Sequence, residues 1–167
     1  MSPRPENPML SLMEVILALK GIPLFASVHG QELRRLSECI HEMEVKKGEL
    51  LFAQNDLGEE MYLVHSGRIG IYQEASKNGV NRIHEIEPGG FFGEMAIVDE
   101  LPRSATARAE TDSKLLVLNK SDFRRAVQDH PDIAFEVFSE FSRRLRRADE
   151  QIQTLSSERE PRPVETP

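Results

Sequence analysis

The spacing of apolar positions changes twice along the chain. Leu10, Met13, Ile16 and Leu17 recur at helical steps, which predicts a helix from Leu10 to Lys20, ended by Gly21 and Pro23. Pro23-Leu24-Phe25 is a short connector, and Leu33, Leu36 and Ile40 mark one face of a second helix from Gly30 to His41. From Glu42 the period becomes two. Met43 and Val45, then Leu51-Phe52-Ala53, Met61-Tyr62-Leu63-Val64 and Ile69-Gly70-Ile71-Tyr72, read as short strands with turns at Gly48, Asn55, Gly58 and Gly67. Tyr72 to Ile86 predicts a hairpin turning at Lys77-Asn78-Gly79. Pro88-Gly89-Gly90 breaks the pattern, and Ala107, Ala109 and Leu115 to Leu118 supply two further strands, interrupted near Thr111-Asp112.

The helical period returns at the end. Ser121 is the expected N-cap of a helix from Asp122 to Gln128. Pro131 is expected at the first position of a long helix running to Ser157. Many short strands between glycine turns predict a mainly β fold with flanking helices: an antiparallel, double-stranded, jelly-roll-like β-roll. The division expected is a disordered tail (1–9), an N-terminal helical element (10–42), the β-roll (43–120), C-terminal helices (121–157) and a second disordered tail (158–167), both tails being rich in proline and polar residues.

The densest chemistry lies in Phe91 to Ala107, FFGEMAIVDELPRSATA. Gly93 permits a backbone bend that a Cβ resists, Met95 to Val98 is long enough for one helical turn, and Pro102 stops it. A helix start presents unpaired N–H groups that favour an anion. Arg103 and Ser104 follow as a fixed cation and a hydroxyl, while Glu94 can accept a sugar hydroxyl. The alternative is a surface turn in which Glu94 and Arg103 pair with each other.

This run resembles the phosphate-binding cassette of the cyclic-nucleotide-binding domain family. The family pattern of Gly-Glu, a short apolar turn and Pro-Arg-Ser/Ala/Thr-Ala-Thr is met at Gly93, Glu94, Pro102, Arg103, Ser104, Ala105 and Thr106. Eight residues separate Glu94 from Arg103. That spacing is similar to the kinase regulatory and prokaryotic nucleotide-gated channel branches, which are related to the sensor domain of the catabolite activator protein. Gln54-Asn55-Asp56-Leu57-Gly58-Glu59 resembles the family's Gln-Gly-Asp-x-Gly-Asp loop, with Asn55 and Glu59 as departures. Asn tolerates the left-handed backbone such a turn requires. The helical entry around Leu24 and Phe25 is similar to the family's N-terminal element, which packs on the β-domain.

The resemblance implies a cassette over 91–107 that binds cAMP or cGMP. Arg103 takes the cyclic phosphate, Glu94 takes the ribose 2′-hydroxyl, and Gly93, Met95, Ala96, Ser104, Ala105 and Thr106 complete the cradle. Phe92, Ile69 and Ile71 are implied against the base, the two isoleucines sharing a strand face; their alternative is ordinary core. Arg144 is implied over the base from the terminal helix, against the alternative of a solvated cluster with Arg143, Arg146 and Arg147. Ser104 suits either nucleotide, with cAMP preferred. The implied function is a stand-alone cyclic-nucleotide sensor whose C-terminal helices reposition on binding. The alternatives are a piece or regulatory partner of a transcriptional regulator or channel, or a docking scaffold of the same fold that takes no ligand.

Composition narrows this further. A net charge of −7 and a pI near 5.3 disfavour direct nucleic-acid binding and anionic membranes. No apolar run approaches the ~20 residues of a membrane span. Cys39 is the single cysteine, which suits a reducing, cytoplasmic setting. The five histidines, His29, His41, His65, His84 and His130, show no close ligand spacing, and no nucleophile elbow or Walker loop occurs. No catalytic residue, metal or prosthetic group is therefore expected, and the protein is not expected to be an enzyme. The last helix carries Ala134, Phe138, Phe141, Leu145, Ala148, Ile152 and Leu155 at alternating steps of four and three, a heptad seam. It suits a homodimer, or docking of the helix on its own domain. A protein partner regulated in trans completes the expectation.

Overall fold

A computed structural model describes residues 10–75 and 79–157. The two terminal tails and the Lys77-Asn78 part of the hairpin turn lie outside the described residues. Helix α1 (Leu12–Lys20) starts on a reciprocal cap: the Glu14 amide donates to Ser11 Oγ, and the Ser11 amide donates to Glu14 Oε2 at 2.7 Å. The buried face of α1 is Val15 and Leu19, and Met13 and Leu17 are exposed, so the face expected from the sequence is rotated. After a 3-10 turn at Pro23–Phe25, α2 (Gly30–Cys39) buries Leu33 and Leu36. It stops short of His41 because Ile40 turns extended and His41 opens the first strand.

Among the described residues, eight strands form two four-stranded antiparallel sheets. Strands β1 (His41–Val45), β3 (Glu60–Ser66), β6 (Phe91–Phe92) and β8 (Ser113–Asn119) make one, in the order β1-β8-β3-β6. Strands β2 (Leu50–Phe52), β4 (Ile69–Ala75), β5 (Gly79–Ile86) and β7 (Thr106–Ala109) make the other, in the order β2-β7-β4-β5. The helices α3 (Glu94–Val98), α4 (Lys120–Asp129) and α5 (Asp132–Ser157) complete the elements of the described residues. This is the antiparallel β-roll with flanking helices that the sequence predicts.

The first sheet is buried on both faces, which explains why β8 reads as a continuous apolar run. Leu115 and Val117 join Tyr62, Val64, Phe92 and Ala107 between the sheets. Leu116 and Leu118 join Met61, Leu63 and Phe91 beneath the helices, with Leu24 and Phe25 in the same cluster. The N-cap of α4 is Asn119, not Ser121: Asn119 Oδ1 accepts the Asp122 amide at 2.9 Å, and the Ser121 hydroxyl donates to that oxygen. Helix α5 begins one residue after Pro131 and docks through Ile133, Val137 and partly Phe141. The docking face is thus Ile133-Val137-Phe141, and Phe138, Leu145 and Ile152 of the expected seam are exposed. The Leu155 side chain lies outside the described residues.

Candidate nucleotide site

Strand β6 runs directly into the cassette. Phe91 faces the helices and Phe92 the roll interior, so the chain reaches Gly93 at the edge of the sheet. Gly93 adopts φ 81°, ψ 0° as the N-cap of α3. A Cβ there would stand 2.7 Å from Arg103 Nη1, so both the bend and the space require glycine. At the far end, the loop before β3 clasps Arg103: the Asn55 amide donates to Arg103 O at 2.9 Å, and the Arg103 amide donates to Asp56 O at 2.8 Å. Asn55 takes φ 72°, the left-handed conformation its side chain tolerates.

Arg103 is 5% exposed. Nη1 donates to Gly93 O at 2.7 Å and Nη2 to Glu60 O at 2.8 Å, while Cζ lies 4.2 Å from the centre of the Phe52 ring. Two carbonyls and one aromatic face therefore fix the plane of the guanidinium. Burial lowers its pKa, and Tyr62, Glu60 and Glu94 partly offset that; a guanidinium keeps its charge in proteins. Nε is buried with no hydrogen-bond partner, and among the described residues no carboxylate forms an ion pair with this side chain.

Glu94 is 1% exposed, and it does not pair with Arg103. Its Oε1 accepts Arg144 Nη1 from α5 at 2.6 Å. Arg144 also donates from Nη2 to Phe91 O at 2.9 Å and from Nε to Glu140 Oε1 at 3.0 Å. Burial raises the Glu94 pKa, and the Arg144 charge only partly opposes it. Burial also pushes Glu140 upward, but hydrogen bonds from Arg143 and Arg144 outweigh it and the net shift is downward.

A cavity of about 400 Å³ lies between the cassette, sheet β2-β7-β4-β5 and α5. Of the residues named from the sequence, Phe92, Gly93, Glu94, Met95, Ala96, Arg103, Ser104, Ala105, Ile71 and Arg144 line it. Ile69 and Thr106 do not. Ile69 is fully buried between the sheets, and Thr106 accepts the Gln54 amide through its hydroxyl at 2.9 Å. The rest of the wall, which sequence reasoning did not assign to the site, includes Phe52, Gln73, Ile83, His84, Ile86, Arg147, Ala148 and Gln151. His84 and Ile83 are neighbours that both face the cavity because β5 carries an extra residue there: Ile71 pairs with His84 and Tyr72 with Arg82. Burial, reinforced by Arg144 and Arg147, lowers the His84 pKa. No helix among the described residues is long and apolar enough to cross a membrane.

A family model described as "Cyclic nucleotide-binding domain" matches residues 42–130. The chain is 33% identical over 140 residues to a cyclic AMP receptor protein of Thermus thermophilus, covering 84% of this chain and 65% of the relative. It is 33% identical over 107 residues to a cAMP-dependent protein kinase regulatory subunit of Eremothecium gossypii, covering 64% of this chain and 22% of the relative. The chain thus spans less than two thirds of the length of either relative. Among solved structures it is similar to the catabolite activator protein of Thermus thermophilus, with a TM-score of 0.71 and 32% identity over 80% of this chain and 63% of that one.

Proposed function

This chain belongs to the cyclic nucleotide-binding domain family, and from that premise we propose that it is a regulatory sensor that binds cAMP or cGMP reversibly and carries out no chemistry on it. The observation that carries the reading is Arg103. The guanidinium of a residue only 5% exposed, held in plane by two carbonyls and lacking an ion-paired carboxylate among the described residues, is a fixed positive charge whose natural complement is an anion. One cyclic phosphate supplies that charge. Ser104 and the first amides of α3 complete the phosphate cradle, and Glu94 stands where a ribose hydroxyl can donate to it. Ile71, Ile83, Ile86 and Ala148 offer an apolar slot for the base.

The names of the relatives favour cAMP, and Ser104 is compatible with either base. The output is a change in α5, which forms one wall of the cavity. It presents either an altered surface to a protein regulated in trans or an altered homodimer. The single cysteine suits a reducing, cytoplasmic setting. Isothermal titration calorimetry with cAMP and cGMP tests the reading. Saturable one-site heat with at least one nucleotide is expected, and no heat with either at high micromolar concentration would leave only the docking-scaffold alternative.

A further inference from the structure

Phe52 reaches Arg103 through an irregularity in its strand. Leu50 pairs with Arg108 and Phe52 with Ala107, so two steps along β2 match one step along β7 and Leu51 is the extra residue. Leu51 and Phe52, although neighbours, both pack on the cluster between the sheets, while Leu50 is exposed. Strict alternation would have sent Leu51 and Phe52 to opposite faces. Inside, the Phe52 ring meets Tyr62 at 5.8 Å and Phe92 at 6.0 Å between centres, and those two rings stack on each other at 5.1 Å. Three rings from β2, β3 and β6 thus converge beside the cassette. Arg103 covers the first of them more closely than the second: its Cζ lies 4.2 Å from the centre of Phe52 and 5.8 Å from that of Tyr62.

The partners of this cation are neutral. Among the described residues, the Arg103 guanidinium meets two backbone carbonyls and these two rings, none with a formal charge. A carboxylate in the place of Phe52 would hold the guanidinium as well, but it would also cancel the charge, and an arriving phosphate would have to contend with it. An aromatic face attracts a cation through its quadrupole and leaves the net charge whole. The attraction is strongest where water is kept away, as it is around a residue 5% exposed. Orientation settled during folding is then not a cost of binding.

We propose that Phe52 is a positioning residue for the anion-binding cation: the electron density of its ring face holds Arg103 in the binding orientation without neutralising it, and so sets the affinity for the phosphate. The proposal rests on the nucleotide reading and adds to it a residue outside the cassette. Phe52 acts through Arg103 and requires no contact of its own with the nucleotide.

The test is calorimetry with cAMP and cGMP on the full chain carrying phenylalanine, difluorinated phenylalanine or trifluorinated phenylalanine at position 52, introduced by nonsense suppression. Fluorine drains density from the ring face and changes its outline little, so the apolar packing survives. Affinity for both nucleotides is expected to fall stepwise along the series, by about fivefold or more at the trifluorinated ring, within the span a cation–π contact supports. Without nucleotide, rotation about the Arg103 Nε–Cζ bond, read from nitrogen-15 exchange of the side chain, is expected to quicken in the same order. Filling of space alone would move neither quantity. Phe52→Leu, which keeps apolar bulk and has no π-face, is expected to weaken both nucleotides at least as much. Should the trifluorinated chain fail to fold, the difluorinated one carries the same test with a smaller step. Equal affinity or equal rotation across the series overturns the role of Phe52, as does parent-like binding by Phe52→Leu. A loss confined to one nucleotide also overturns it, because the phosphate is common to both. If the folded parent binds neither nucleotide, the nucleotide reading falls and the proposal with it, whereas binding that is level across the series removes the proposal alone.

Discussion

Gly58 lies flat against the Arg103 guanidinium. A Cβ at position 58 would stand 2.3 Å from both Cζ and Nε. The cation also lies over the Phe52 ring, with Cζ 4.2 Å from its centre, and its edge is held by Gly93 O and Glu60 O. The loop that carries Gly58 also clasps the Arg103 backbone through Asn55 and Asp56. Loop and cassette, distant in sequence, thus build one rigid mount for a single charge.

Gly58→Ala is therefore expected to act on Arg103 rather than on its own loop. The side chain can yield only by leaving its two carbonyls or its aromatic face. Overpacking of this kind costs about 1–3 kcal/mol. The expected result is a lower melting temperature and nucleotide affinity reduced by about tenfold or more, since misplacing a charge-assisted bond forfeits about 1.5–3 kcal/mol. Melting curves and calorimetry on the purified variant check both. Parent-like affinity would show that the mount is not needed.

Arg103→Lys separates charge from shape. Lysine keeps the cation but cannot donate to two carbonyls and a phosphate in one plane. Affinity is expected to fall by about ten- to a hundredfold, the equivalent of about 1.5–3 kcal/mol, with both nucleotides affected alike because the phosphate is common to them. A loss confined to one nucleotide would place Arg103 against the base instead.

The cassette was legible in the sequence because its parts are local: Gly93, the single turn, Pro102 and Arg103 lie within one short run, and the bend at Gly93 follows from backbone sterics. The Glu94–Arg144 pair was not legible as a pair, because it joins residues 50 apart on elements whose relative rotation is fixed by Ile133 and Val137. The His84 wall was hidden by the extra residue at Ile83, since a strict period of two puts those neighbours on opposite faces. The same rotational ambiguity exchanged Met13 and Leu17 for Val15 and Leu19 on α1. Period identifies a helix more securely than it identifies which side is buried when apolar residues occur on both.

Glu94 carries a signed pH dependence. Burial raises its pKa above the value it has in the unfolded chain, so the native state binds the proton more readily. Its contribution to stability is then present below the unfolded pKa and lost as pH rises through the folded one. Glu94→Gln lacks this term. The difference in melting temperature, variant minus parent, is expected to increase from acidic to neutral pH, while the variant loses nucleotide affinity at every pH. Melting series from about pH 4 to 7.5, which bracket the ordinary carboxylate range, check it. A difference that shrinks with pH would mean that pairing with Arg144 outweighs burial.

The outer face of α5 bears on self-association. The heptad read from the sequence splits in the structure. Phe141 packs on the domain and Ala148 lines the cavity, while Phe138, Leu145 and Ile152 are 59%, 64% and 61% exposed at steps of seven residues. Phe135 extends the same exposed stripe. A helix that exposes large apolar side chains at a constant heptad position has an unfilled seam, which a second copy of the same helix can fill with equivalent knobs. Sedimentation of the parent is expected to show a monomer–dimer equilibrium in the micromolar range. Leu145→Glu, at the centre of the stripe, is expected to shift it to monomer by placing two carboxylates face to face. Leu145 touches neither the Ile133-Val137-Phe141 anchor nor the Arg103 mount, so the melting temperature measured at concentrations where the parent is monomeric should be unchanged. A parent that stays monomeric at high concentration would assign the stripe to a different protein. A variant that dimerises as the parent does would place the interface elsewhere on the domain.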